Sequence, residues 1–239
     1  MKKNIFLLLS LLTNLVLIGA IFYLIHRVGG LKFMMHRINN GGLAGVYENR
    51  KNLFDHLKME KGSIIFLGDS ITEYGQWGEL TNHPKVKNRG IAGDTTWGLL
   101  RRLKTITDTN PSIIFLMIGV NDFLFTDEKE IVQNYTEIIQ RIKKESPATQ
   151  LIIQSVLPVN AEVKKTIFSN EAILSLNKSI HALAQNNDLV YLNIHQKLLD
   201  EHGQLAEKYT NDGVHINGAA YTVWKTTIQP FLNKSNPPY

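Results

Sequence analysis

From Ser63 onward the chain alternates short apolar runs with longer segments whose apolar residues recur at helical spacing, and this alternation narrows the possible folds more than any other feature. Residues 63–67, 112–118, 151–155 and 189–192 read as strands, with 86–88 a weaker candidate between the first two. Strands this apolar need cover on both faces, as a parallel sheet provides. Ile131, Val132, Tyr135, Ile138, Ile139 and Ile142 mark one helix, which Pro147 ends. Ile173, Leu176, Ile180 and Leu183 mark a second, and Ala220, Trp224, Ile228 and Phe231 a last one over about 217–232. The order predicts a three-layer α/β/α sandwich around a mostly parallel sheet. Upstream, Tyr47, Arg50, Phe54 and Leu57 share helical spacing, and Gly62 provides a stop.

The N-terminus is of a different kind. Lys2 and Lys3 precede an uncharged run, residues 4–25, that would span roughly 33 Å as a helix. The run continues past Gly19-Ala20, where a cleaved signal would end, so it reads as an uncleaved transmembrane anchor. Arg27, Lys32 and Arg37 nearly cancel Lys2 and Lys3 in the charge rule for orientation. Large domains translocate largely regardless of charge, so the domain is expected outside the cytoplasm on a single-pass anchor. The chain then divides into the anchor 1–27, a Gly-rich basic linker 28–45, the α/β domain 46–233 and a loose tail 234–239. Within the linker, residues 31–38 could lie at a membrane interface or be plain solvated linker. The net charge of +5 comes without a dense Lys/Arg cluster interleaved with aromatics, so no nucleic-acid partner is expected. The absence of cysteine excludes disulfides, thiolate metal sites and a cysteine nucleophile.

In such a sheet, sites gather where strands end. The first strand runs into Gly68-Asp69-Ser70, the second into a segment containing Gly93, and the next into Gly119-Val120-Asn121-Asp122. Asp212-Gly213-Val214-His215 stands before the last helix. Ser70 could simply cap a helix, or its hydroxyl could be a nucleophile at the sheet edge. A nucleophilic serine needs a base, and a histidine base needs a carboxylate to fix its tautomer. Of eight histidines, His215 alone has an aspartate three residues before it in a glycine-containing loop. The pair could equally be a loop hydrogen bond or half of a metal site, but no second motif supplies further ligands, so no metal is expected. Gly93 could bring a main-chain N–H close to a developing oxyanion and Asn121 could offer its amide, or the two could serve a turn and a helix cap. Trp77 and Trp97, shortly after Ser70 and Gly93, could wall a substrate site or pack in the core or rim.

The ordered set Gly68-Asp69-Ser70, Gly93, Gly119-x-Asn121-Asp122 and Asp212-x-x-His215 resembles the four sequence blocks of the GDSL/SGNH hydrolases, and residues 88–96 are similar to the corresponding stretch of intracellular platelet-activating-factor acetylhydrolase subunits. Ile71 replaces the leucine of the GDSL name. The resemblance covers about 63–231. It implies a flavodoxin-like sandwich and cofactor-free hydrolysis of an ester, with Ser70 as nucleophile, His215 as base and then acid, and Asp212 orienting it. It further implies an oxyanion hole made of the Ser70 and Gly93 N–H groups and the Asn121 side chain. The expected substrate is a short acyl ester of a lipid or a carbohydrate. The rival reading is a membrane-tethered binding protein of the same fold without turnover.

Overall fold

The computed structural model describes residues 2–27 and 41–233. The stretch 31–38 and the tail lie outside the described residues. Two compact units result, 1–45 and 46–239. In the first, helix α1 (Lys2–Arg27) carries exposed Phe6, Leu15, Ile18 and Phe22. Ser10, Thr13, Asn14 and Gly19 interrupt its apolar residues, and among the described residues no helix is long and apolar enough to cross a membrane. The anchor expected at residues 4–25 therefore gains no support from the structure.

The second unit is built on five parallel strands: β1 (Ile64–Gly68), β2 (Val86–Gly90), β3 (Ile113–Met117), β4 (Gln150–Gln154) and β5 (Val190–Leu192). Their order, β2-β1-β3-β4-β5, is the flavodoxin-like one. β1 and β3 are buried along their whole length, which is why they read as unbroken apolar runs. Their side chains alternate between two cores. Ile65, Leu67, Ile114 and Leu116 face helices α5 (Thr96–Thr107), α6 (Glu128–Glu145) and α7 (Asn170–Asn186). Ile64, Phe66, Ile113 and Phe115 face the short helices α3 (Ser70–Glu73) and α4 (Trp77–Thr81) and the last helix α8 (Gly218–Asn233). Helix α2 (Gly41–His56) precedes the sheet, and its Phe54 lies between the guanidinium groups of Arg50 and Arg89, 4.9 and 4.7 Å from the ring centroid.

Two polar anchors set the sheet's carboxyl edge. Tyr135 of α6 donates its O–H to the Ile118 carbonyl at 2.7 Å, pinning the chain just before Gly119. Arg102 of α5 is buried, yet its donors are met by Asp94 Oδ2 (2.7 and 2.9 Å), the Arg89 carbonyl (2.8 Å) and the Gly68 carbonyl (3.1 Å). One guanidinium thus ties the ends of β1 and β2 to the Gly93 segment. The topology reverses between β1 and β3, so the chain leaves these two strands in opposite directions and opens a crevice above their ends.

Candidate active site

Ser70 opens α3 directly beyond β1. Asp69 caps that helix, its Oδ1 accepting the Ile71 N–H at 3.0 Å. Burial, helped by the nearby Asp94 charge, pushes the Asp69 carboxyl up to about 7 against the pull of the Ile71 N–H and Arg102. The Ser70 Oγ lies 3.1 Å from His215 Nε2, and His215 Nδ1 lies 2.7 Å from Asp212 Oδ2. Residues separated by 145 positions in the chain thus form one hydrogen-bonded row.

The loop bearing His215 is over-determined. Asp212 Oδ1 accepts the N–H groups of Val214 (3.0 Å) and His215 (2.7 Å), leaving Oδ2 for the ring. Burial alone would raise the Asp212 carboxyl, but the His215 ring and these two N–H bonds outweigh it and bring it down to about 2. Thr210 Oγ1 accepts the Gly213 N–H at 2.9 Å and donates to the His215 carbonyl at 2.7 Å. Gly213 has φ +78, and a Cβ there would collide with the Asn160 carbonyl oxygen. Asn160 in turn donates its N–H to the Gly213 carbonyl at 2.7 Å, so the loop after β4 clasps the histidine loop.

Gly93 is exposed with φ +73, at the third position of a turn closed by the Asp94 N–H on the Ile91 carbonyl at 3.1 Å. Asn121 opens a short 3-10 turn beyond β3 and donates one amide proton to the Asp94 carbonyl at 3.0 Å, which leaves its second proton for a ligand. Asp122 faces inward and accepts the Thr96 N–H at 3.0 and 3.1 Å as well as the Thr96 hydroxyl. Burial first, and the charges of Asp94 and Asp69 after it, raise the Asp122 carboxyl to about 7 despite those Thr96 bonds.

Of the two tryptophans, Trp77 needs correction. Trp77 is 1% exposed, stacked on Phe66 at 4.0 Å with its indole N–H on the Thr72 carbonyl at 2.8 Å. It is a core residue and walls no substrate site. Trp97 is half-buried on α5 with the Arg101 guanidinium 5.0 Å from its ring. The aromatic that does meet the row is Tyr74, 52% exposed, its ring 5.2 Å from that of His215. Only its position four residues after Ser70, one helical turn on, could have drawn attention to it. Among the described residues no group of three or more His, Asp or Glu could hold a metal ion.

The hydroxyl, imidazole and carboxylate row, beside a turn and an amide with free donors, has the parts of acyl transfer. The model of the GDSL-like lipase/acylhydrolase family matches residues 66–223. The chain belongs to that family. It is a carboxylic-ester hydrolase. This GDSL-like hydrolase is 28% identical over 171 residues to platelet-activating factor acetylhydrolase IB subunit alpha2 of Rattus norvegicus, covering 69% of this chain and 73% of that one. It is also 28% identical over 191 residues to an N-acylneuraminate cytidylyltransferase of Escherichia coli, covering 77% of this chain but only 44% of that relative's length. A solved structure provisionally described as a platelet activating factor from Streptococcus pneumonia is 31% identical, with a TM-score of 0.74 over 83% of this chain and 98% of that one.

Proposed function

We propose that this GDSL-like hydrolase removes short, acetyl-like acyl groups from a lipid or carbohydrate ester through an acyl-enzyme on Ser70. The observation that carries the reading is the row Ser70–His215–Asp212 at 3.1 and 2.7 Å. The Ser70 oxygen attacks the ester carbonyl while His215 Nε2 takes the hydroxyl proton. Asp212, ionised and already saturated by two main-chain N–H groups, holds Nδ1–H and stabilises the imidazolium. The N–H groups of Ser70 and Gly93 and the second Asn121 amide proton receive the oxyanion. On collapse the ester C–O bond breaks and His215 returns the proton to the leaving alcohol. Water then attacks the acyl-serine, its proton going to His215, and the acid departs as the proton returns to Ser70. The acyl class is supported by the acetylhydrolase relatives, and access for the acceptor by the solvent exposure of Tyr74, His215 and Asp212. The same reading keeps α1 as a membrane attachment with the catalytic unit outside the cytoplasm, supported by the uncharged run 4–25 of the sequence alone.

A fluorophosphonate probe should label Ser70, and p-nitrophenyl acetate should be cleaved faster than longer acyl esters. Ser70→Ala or His215→Ala should lower kcat by about 10⁴ or more, and Asp212→Asn by a comparable factor. A folded Ser70→Ala protein that retains about a tenth of the rate would remove the nucleophile assignment, and a folded wild type that fails to label would favour a tethered binding protein. Salt-resistant sedimentation with membranes, and loss of the domain to protease added outside spheroplasts, would test the attachment.

A further inference from the structure

Glu73 takes no part in the chemistry above, yet it stands directly behind the Gly93 turn. It closes α3, and its Oε2 accepts the Ala92 N–H at 2.5 Å. Its Oε1 lies 3.1 Å from Arg50 Nε of α2, as an ion pair. Around it the Asn88 amide reaches the carbonyls of Thr72, Glu73 and Gly75 at 3.0, 2.9 and 2.9 Å, and Asn88 Oδ1 accepts the Gly90 N–H at 2.8 Å. The end of α3 and the segment 88–92 are therefore one bonded unit.

The turn 91–94 places Ala92 and Gly93 at its two central positions, and the positive φ of Gly93 is that of a type II turn. The central peptide of such a turn carries the Gly93 N–H. Flipping that peptide converts type II to type I and reverses the direction of the N–H. A carboxylate bond to the Ala92 N–H is charge-assisted, about twice as strong as a neutral one, and it fixes the peptide immediately before the one that could flip. We propose that Glu73 is a positioning residue for the Gly93 oxyanion donor, and that Arg50 holds Glu73 in place. The inference rests on the reading of the Gly93 N–H as part of the oxyanion hole.

Glu73→Ala should lower kcat on p-nitrophenyl acetate by about 10–100-fold, the scale of a misplaced donor, with KM changed less than about threefold. Glu73→Gln keeps an oxygen for the Ala92 N–H but no charge for Arg50, so it should recover most of the lost kcat. Arg50→Ala should lower kcat by about threefold to tenfold at constant KM, and should add nothing to Glu73→Ala because the two act in series. A Glu73→Ala kcat within about twofold of wild type overturns the proposal, as does a Glu73→Gln variant no faster than Glu73→Ala. If Glu73→Ala fails to fold, Arg50→Ala decides, and an unchanged kcat there overturns it. Asn121→Ala, measured alongside, separates the two levels. A large loss of kcat there with none at Glu73 refutes the positioning alone, while no loss at Asn121 removes the oxyanion-hole reading and the inference with it.

Discussion

Tyr221 of α8 donates its phenolic O–H to the main-chain carbonyl of Ile71 at 2.6 Å, across 150 positions of sequence. Ile71 follows Ser70, and α8 begins three residues after His215. One strut therefore sets the spacing of the serine and the histidine.

Removing that hydroxyl leaves a buried carbonyl without its donor. Tyr221→Phe should cost about 1–3 kcal/mol in urea unfolding. It should also lower kcat severalfold, because the bond ties Ser70 to the helix behind His215. Unchanged stability together with unchanged kcat would mean that the Ser70 segment is held elsewhere.

Asn121→Ala should reduce kcat by about 10²–10³ with KM nearly constant, since the bond it offers forms in the transition state. A change confined to KM would make Asn121 a substrate-binding group.

Trp77→Ala should destabilise the fold by about 3–5 kcal/mol. The ring it removes is packed on Phe66 and edge-on to Trp224 at 4.8 Å. Folded variant protein should retain the wild-type KM, whereas a raised KM on every ester tested would return Trp77 to the substrate site.

The buried carboxyls make stability depend on pH. Asp69 and Asp122 titrate near 7 in the fold and near 4 when unfolded, so between those values the native state holds more protons. Their contribution is complete below about 4 and is lost as pH rises through about 7. Asp212, lowered to about 2, works in the opposite sense, its contribution being lost only as pH falls below about 4. The melting temperature should therefore be higher at pH 5 than at pH 8, and Asp69→Asn should narrow the difference. An equal Tm at both values in wild type would contradict the burial argument.

Strands β1 and β3 were legible because cover on both faces leaves only apolar residues along them. β2 was weak in the sequence because it is an edge strand whose Lys87, Asn88 and Arg89 are polar, and Asn88 and Arg89 bond to main-chain carbonyls nearby. Helix α5 escaped the periodicity argument because Arg102 occupies an inward position, and a buried guanidinium becomes tolerable only once Asp94 and two carbonyls surround it. Asp212 and His215 stood out because their contact is local, three residues apart. Tyr74 is marked only by standing one helical turn after Ser70. Glu73 and Asn160 meet the site through tertiary contacts with Ala92 and Gly213, and no spacing announces them. Trp77 misled for the same reason, since proximity to Ser70 in sequence says nothing about which face of the sheet a ring enters.

The clasp between Asn160 and Gly213 bears on how this scaffold could be re-engineered for a new ester. The segment between β4 and α7 is the natural place to graft a recognition loop, but its first part shares a hydrogen bond and a steric stop with the turn that aims His215. An insertion before Asn160 would re-aim the imidazole along with the graft. Residues 165–167, where Ile167 is 78% exposed, lie past the clasp and before Phe168, which packs on the core. They form the stretch that a library can vary while His215 keeps its aim.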